Sequence, residues 1–231
     1  MKETGLMFKA PLVRAILSGQ KTQTRRILNP QPAENHPHDG GTKWVLERGR
    51  HTPVGSVGHL SLQDKMGRNC PMGQPGDRIY VRETWQGPLM SSKEWEEHYF
   101  SGADDLPAHF RTPAHCQYAA DGGPSPEFMT MDDELVSRWK PSIHMPKWAS
   151  RIWLEITGVR VERLQSISDA DLEREGIQEY IDKGDDHDGT PRDTFRKLWE
   201  TTGGDWAVNP WVWVIDFKRI ERAVGAAQGE A

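Results

Sequence analysis

Arg151-Ile152-Trp153-Leu154-Glu155-Ile156-Thr157-Gly158-Val159-Arg160-Val161-Glu162-Arg163-Leu164 is the stretch that decides the fold. Apolar and polar side chains alternate from Arg151 to Thr157 as in a half-buried strand, and the alternation resumes from Val159 to Leu164 after Gly158. A second strongly β-prone run, Trp211-Val212-Trp213-Val214-Ile215-Asp216-Phe217, closes the ordered part of the chain. Upstream, the Pro75-Gly76-Asp77 turn feeds a strand in which Ile79 and Val81 face one way while Arg78, Tyr80 and Arg82 face the other. Strands dominate, with few helices between them, and that order suggests a small barrel of the α+β, mainly β, class.

Helix signals are short and well capped. Pro11 to Ser18 reads as an amphipathic helix, with proline in its first turn, an apolar stripe of Leu12, Val13, Ile16 and Leu17, and Gly19 as its stop. Ser168-Asp169-Ala170-Asp171 opens another helix that Gly176 closes, and a third runs from about Arg192 to Glu200 on an apolar face of Phe195, Leu198 and Trp199. Between these blocks lie two polar excursions, at about 29–74 and 86–138, in which the runs 43–46 and 57–62 could form edge strands and 92–99 a short helix. The whole of 1–231 reads as one domain carrying two insertions.

Composition narrows the function classes. A net charge of −5 argues against coating nucleic acid through bulk electrostatics, though a local basic groove stays open. Two cysteines, Cys70 and Cys116, give no disulfide framework, and no C-x-x-C or H-E-x-x-H spacing points to a metal. No window approaches the ~20 apolar residues of a membrane span, so a soluble, cytoplasmic protein without a cofactor is expected.

The chemistry is concentrated in Gly19-Gln20-Lys21-Thr22-Gln23-Thr24-Arg25-Arg26. An amine and a hydroxyl three residues apart can form a base and nucleophile pair, because a threonine hydroxyl attacks only when a neighbour takes its proton. The same run also fits a basic turn solvated at the surface. In a regular strand Lys21 and Thr24 would point to opposite faces. The pairing therefore requires Lys21 to sit in the turn after Gly19, or a bulge between the two.

Four segments in order, Gly19 to Arg26, Gly76-Asp77, Glu173-Arg174-Glu175-Gly176 and Val212 to Phe217, resemble the ASCH domain of the PUA-like superfamily, in the larger form found in phages and prophages. The resemblance covers roughly residues 6–28, 75–85 and 139–221. It implies a β-barrel of about six strands with helices flanking a cleft, and activities that include RNA binding, RNA cleavage and hydrolysis of N4-acetylcytidine. The last branch is the closest in motif, and its lysine, threonine and glutamate carry over to Lys21, Thr24 and Glu175. Glu175-Gly176 stands where the small amidohydrolases have Glu-Asn, and this chain is the longer by its insertions. On that reading Thr24 attacks the acyl carbonyl with Lys21 as base, Arg26 supports the oxyanion, and Glu175 holds the lysine or returns a proton. A competing assignment makes Glu175 the base for a water, with Lys21 and Arg26 as donors.

Other residues frame a substrate or a partner. Glu83 sits at a strand end, either as a site acid or as the ion-pair partner of Arg78 or Arg82. Trp85, Trp211 and Trp213 lie beside the proposed site and could stack on a nucleobase, whereas Trp153 and Trp199 fall on periodic core faces. The run from Arg138 to Arg151 mixes Lys140, Lys147 and Arg151 with two tryptophans, the composition of a surface that tracks phosphates or of a proline-stiffened connector. The expected partner is a small nucleoside or nucleobase.

Overall fold

A computed structural model of the chain describes residues 1–29, 31, 33–34, 44–45, 70–91, 93–94, 96–97, 107–129, 134–182 and 189–221. Its backbone is the antiparallel pair of β10 (Trp153–Arg163) and β11 (Trp211–Ile220), in register from Trp153 opposite Ile220 to Arg163 opposite Trp211. The two runs on either side of Gly158 are one strand. A register shift between Ile156 and Gly158 leaves Thr157 as the extra residue of a bulge, and Gly158, paired with Asp216, lies against its side chain.

Five strands pair in the order β1-β5-β10-β11-β2, where β1 is Glu3–Met7, β2 is Gln23–Ile27 and β5 is Arg78–Arg82. β1 runs parallel to β5 and every other pairing is antiparallel. The barrel of about six strands expected above is thus realised as an open five-stranded sheet in a mixed, mainly β fold. Its edge strands β1 and β2 do not pair with each other. Arg26 Nη2 instead donates to the Met7 carbonyl at 2.9 Å, so a side chain stands where a backbone ladder would close the sheet. β1 itself gave no signal in sequence, because Glu-Thr-Gly-Leu-Met carries neither alternation nor β-branched bulk beyond Thr4.

Each face of this sheet has its own core. On one, Phe8, Ile79, Val81, Leu154, Ile156, Trp213, Ile215 and Phe217 pack with Val13 and Ile16 of α1 (Ala10–Leu17). On the other, Val212 and Val214 meet Leu172, Ile177, Phe195, Leu198 and Trp199 of three helices. β11 is covered on both faces, which is why its sequence is almost uninterruptedly apolar. A fully buried Ile or Leu such as Ile215 or Leu154 contributes about 1.5–3 kcal/mol.

The three helices are α2 (Asp169–Arg174), α3 (Ile177–Asp182) and α4 (Pro191–Glu200). Ser168 caps α2 by accepting from the Asp171 amide, and Thr190 with Asp193 forms a reciprocal capping box on α4. Gly176 at φ 75° ends α2 and lets α3 begin at once, an element the sequence reading did not separate.

The first excursion contributes a short pair, β3 (Ala33–Glu34) with β4 (Trp44–Val45), as the run at 43–46 suggested. The run at 57–62 lies outside the described residues. In the second, β6 (Trp85–Gln86) pairs with β7 (Gln117–Tyr118), and β8 (Glu127–Met129) with β9 (Leu135–Ser137). Of the helix expected at 92–99, residues 93–94 and 96–97 are helical and the others lie outside the described residues. A third apolar cluster of Trp85, Tyr118, Met145 and Ala149 ties this excursion to the connector before β10. Among the described residues no helix is long and apolar enough to cross a membrane.

Candidate functional site

Lys21 sits in the turn after Gly19, before β2 begins at Gln23, so the parity objection does not apply to it. Its amide donates to the Ala15 carbonyl at 2.9 Å and the next amide, of Thr22, to Arg174 at 2.8 Å. These bonds dock the turn against both α1 and the end of α2. Gly176 makes the approach possible: a Cβ there would lie 2.7 Å from Ala15 Cβ and 2.9 Å from Lys21 Cβ.

The Lys21 side chain is buried, and its ammonium has three acceptors for its three protons. Nζ donates to the Gln23 carbonyl at 2.7 Å, the Glu175 carbonyl at 2.8 Å and Glu175 Oε2 at 2.7 Å. Burial pulls its pKa below 10.5; the Glu175 carboxylate opposes that pull, and Arg26 and Arg25 add to it.

Alternation along β2 sends successive side chains to different cores. Thr24 and Arg26 lie opposite Ile215 and Trp213, on the α1 side of the sheet. Gln23 and Arg25 take the other face, where Arg25 is the hub of a buried charge network. Its guanidinium donates to Glu175 Oε1 at 3.1 Å, Asp171 Oδ2 at 3.1 Å, Glu162 Oε2 at 3.2 Å and Gln23 Oε1 at 2.6 Å. Arg160 takes the opposite oxygens of Glu162 and Asp171 and also reaches Asp216, while Gln23 Nε2 returns to Asp216. Glu175 is therefore clamped between two cations, one oxygen to each. Gln23 and Arg25, which the motif alone gave no role, and Asp171 of the helix-opening run are the supports of the site. Strand parity could have grouped Gln23 with Arg25, but not shown which acids cover that face.

Thr24 is 2 % exposed, and its Oγ1 accepts from Arg26 Nη1 at 3.2 Å. Lys21 Nζ is hydrogen-bonded to the carbonyl of Gln23, the residue before Thr24, and not to the Thr24 hydroxyl. Phe8 lies between the cations, its ring centroid 5.8 Å from Lys21 Nζ and 5.3 Å from Arg26 Cζ.

Along the free edges of β1 and β2 runs a cleft of about 560 Å³, with Thr24, Arg25, Arg26 and Glu175 in its wall. Phe8 and Leu12 flank it, Phe195, Leu198 and Trp199 of α4 form its far side, and Thr84 and Ser142 stand at its other end. Met7 and Ile27, 48 % and 47 % exposed, form its lips.

The remaining candidates are placed apart from this cleft or packed beneath it. Glu83, 1 % exposed, pairs in bidentate fashion with Arg151 at 3.0 Å for both bonds, rather than with Arg78 or Arg82. Trp85 is buried in the third cluster, edge-on to Trp148 and beneath Lys140. Trp213 is buried in the core across from Arg26, and half-buried Trp211 carries the Arg163 guanidinium at 4.6 Å. None of these tryptophans lines the cleft. The basic connector is internally engaged: Lys140 donates to the Gly87 carbonyl, Lys147 pairs with Glu3, and Arg151 with Glu83 and Asp121. Among the described residues no group of three or more His, Cys, Asp or Glu is placed to hold a metal.

Comparison of the chain with protein families, with curated proteins and with solved structures finds no match.

Proposed function

We propose that this chain is a cytoplasmic amidohydrolase that removes the acyl group from N4-acylcytosine nucleosides or bases, on an opened form of the PUA-like, ASCH-type architecture. The observation that carries the reading is the buried Lys21–Glu175 pair, 2.7 Å apart, behind a cleft with Thr24 in its wall. Lysine can serve as a base only when neutral, and burial favours that form. Passing one proton from Lys21 Nζ to Glu175 Oε2 gives a neutral amine and a carboxylic acid along an existing hydrogen bond.

The amine then turns from the Gln23 carbonyl to Thr24, one residue along the chain, and takes the hydroxyl proton as Oγ1 bonds to the acyl carbon. The negative charge moves to the acyl oxygen as that bond forms, and Arg26, which donates to Oγ1 at rest, shifts to that oxygen to stabilise it. The Glu175 carboxylic acid protonates the departing N4 amine as the C–N bond breaks, which restores the resting charges of lysine and glutamate. Water attacks the acyl-threonine by the same proton path in reverse, releasing the carboxylic acid. In this scheme Arg26 serves the nucleophile first, and Arg25 keeps Glu175 aimed at Lys21.

Release of cytidine and acetate from N4-acetylcytidine, followed by liquid chromatography, tests the proposal. Lys21→Ala, Thr24→Ala and Glu175→Ala should each lower kcat by about 10²–10⁴, with Thr24→Ser retaining part of the activity. An enzyme that leaves every N4-acylcytidine intact, or a Thr24→Ala variant as active as the parent, overturns it. The alternatives of an RNA- or DNA-binding module or a ribonuclease draw no support from Lys147 and Arg151, whose charges are paired with carboxylates within the chain, or from Lys140, whose ammonium is held by the Gly87 carbonyl over the Trp85 ring.

A further inference from the structure

The two ends of the cleft differ in what they offer a ligand. At the α4 end, Phe195, Leu198 and Trp199 are spaced i, i+3, i+4, so one helix face presents them together beside Leu12 of α1. The threonine hydroxyls nearby are already committed, whereas the buried Trp199 indole N–H has no hydrogen-bond partner among the described residues. Thr201 Oγ1 donates to the Leu198 carbonyl at 2.7 Å and accepts from Lys9, and Thr202 Oγ1 donates to the Trp199 carbonyl at 2.6 Å. Trp199 Nε1 abuts Gly204, where even a methyl group would collide with it. At the other end, the half-buried hydroxyls of Thr84 and Ser142 carry no hydrogen bond among the described residues, and the β1 edge there has no strand partner facing the cleft.

An N4-acylcytidine whose carbonyl carbon sits at Thr24 Oγ1 extends in two directions. Its cytosine and sugar carry donors and acceptors that lose free energy if buried unpaired, and its acyl substituent carries none. We infer that the nucleoside half lies toward Thr84 and Ser142, that the acyl half lies on the Leu12–Phe195–Leu198–Trp199 wall, and that the preferred substrates carry a large apolar or aromatic acyl group rather than acetyl. Phe195, Leu198 and Trp199 are only 4 %, 7 % and 8 % exposed and Leu12 is half-buried, so a methyl group leaves the small exposed part of that wall in contact with water, whereas a phenyl ring covers it. This inference rests on the amidohydrolase reading for its substrate and on the cleft lining for its orientation.

The test compares N4-benzoylcytidine with N4-acetylcytidine in the parent enzyme and in Leu12→Trp, a half-buried position whose added bulk fills the acyl end. The parent should favour the benzoyl substrate in kcat/KM by about tenfold or more, and Leu12→Trp should erase that ratio. Ser142→Ala with Thr84→Val should raise KM for both substrates by the same factor, leaving the ratio intact. Acetyl preferred in the parent, or a ratio that Leu12→Trp does not move, overturns the inference while leaving the hydrolase standing. If neither substrate is hydrolysed the hydrolase reading falls, and tryptophan quenching by the two substrates still decides the orientation: tighter binding of the benzoyl compound, lost in Leu12→Trp, supports it, and equal binding refutes it.

Discussion

Replacing Glu175 by glutamine keeps the shape of the side chain and removes the one carboxylate paired with Lys21 among the described residues. The two side chains are 1 % and 5 % exposed, so solvent screening gives no relief, and unpairing such a buried ion costs about 3–5 kcal/mol. Deprotonation of the stranded lysine sets a ceiling. Holding an amine of ordinary pKa 10.5 neutral at pH 7 costs about 5 kcal/mol. The sign with pH follows from the same lysine. Its folded-state pKa lies below the unfolded value, and further below once Glu175 no longer opposes burial, so the unfolded chain binds more protons and the variant gains stability as pH rises. Urea unfolding followed by tryptophan fluorescence should show a deficit of about 3–5 kcal/mol at pH 7 that shrinks by up to about 1.4 kcal/mol per pH unit toward pH 9. A deficit below about 1 kcal/mol, or one that is the same at both pH values, would refute the reasoning that Glu175 compensates a buried ammonium.

Arg151→Met should give the mirror-image profile. Burial raises the Glu83 carboxyl above 4.5 against the pull of Arg151, and without the arginine it rises further, costing up to about 3 kcal/mol at pH 7. Because that folded pKa exceeds the unfolded one, stability should return as pH falls toward 4.5, measured by denaturant midpoints. Arg25→Met removes the cation shared by Glu162, Asp171 and Glu175 and should lose about 3–5 kcal/mol. Burial pushes Asp171 up, yet Arg25 and its neighbours hold it below 3.8, so the parent loses stability as pH falls through that range and the acid branch of this variant should be shallower. Gly176→Ala combines φ 75° with a Cβ 2.7 Å from Ala15, and thermal unfolding should drop by several degrees, at about 2–4 °C per kcal/mol; an unchanged midpoint would mean that α1 and α2 are not packed as tightly as described.

The parts of this architecture legible in the sequence are those where one local rule dominates. Alternation marked β5 and β10, a run of β-prone residues marked β11, Ser168 and Gly176 bracketed α2, and Pro11 with Gly19 bracketed α1. β1 was invisible because its place is set by parallel pairing with β5, Glu3 opposite Arg78, and not by its own five residues. In the site, Lys21 and Glu175 do meet, but the role of Arg25 depends on acids contributed by β10 and α2, and a linear motif does not report on long-range neighbours. Glu83 found its partner sixty-eight residues away, in Arg151, and not in Arg78 or Arg82, the ion-pair partners the sequence offered.

The turn that carries Lys21 belongs to no helix or strand, yet its amide and that of Thr22 are tied to Ala15 and Arg174, and the Thr22 carbonyl accepts from Phe217. Exchange with deuterated water requires such bonds to open, and these open only if α1, α2 and β11 part. Residues 21 and 22 should therefore exchange as slowly as the centre of the sheet, making Lys21 one of the stiffest points on a segment that secondary structure alone would class as loop.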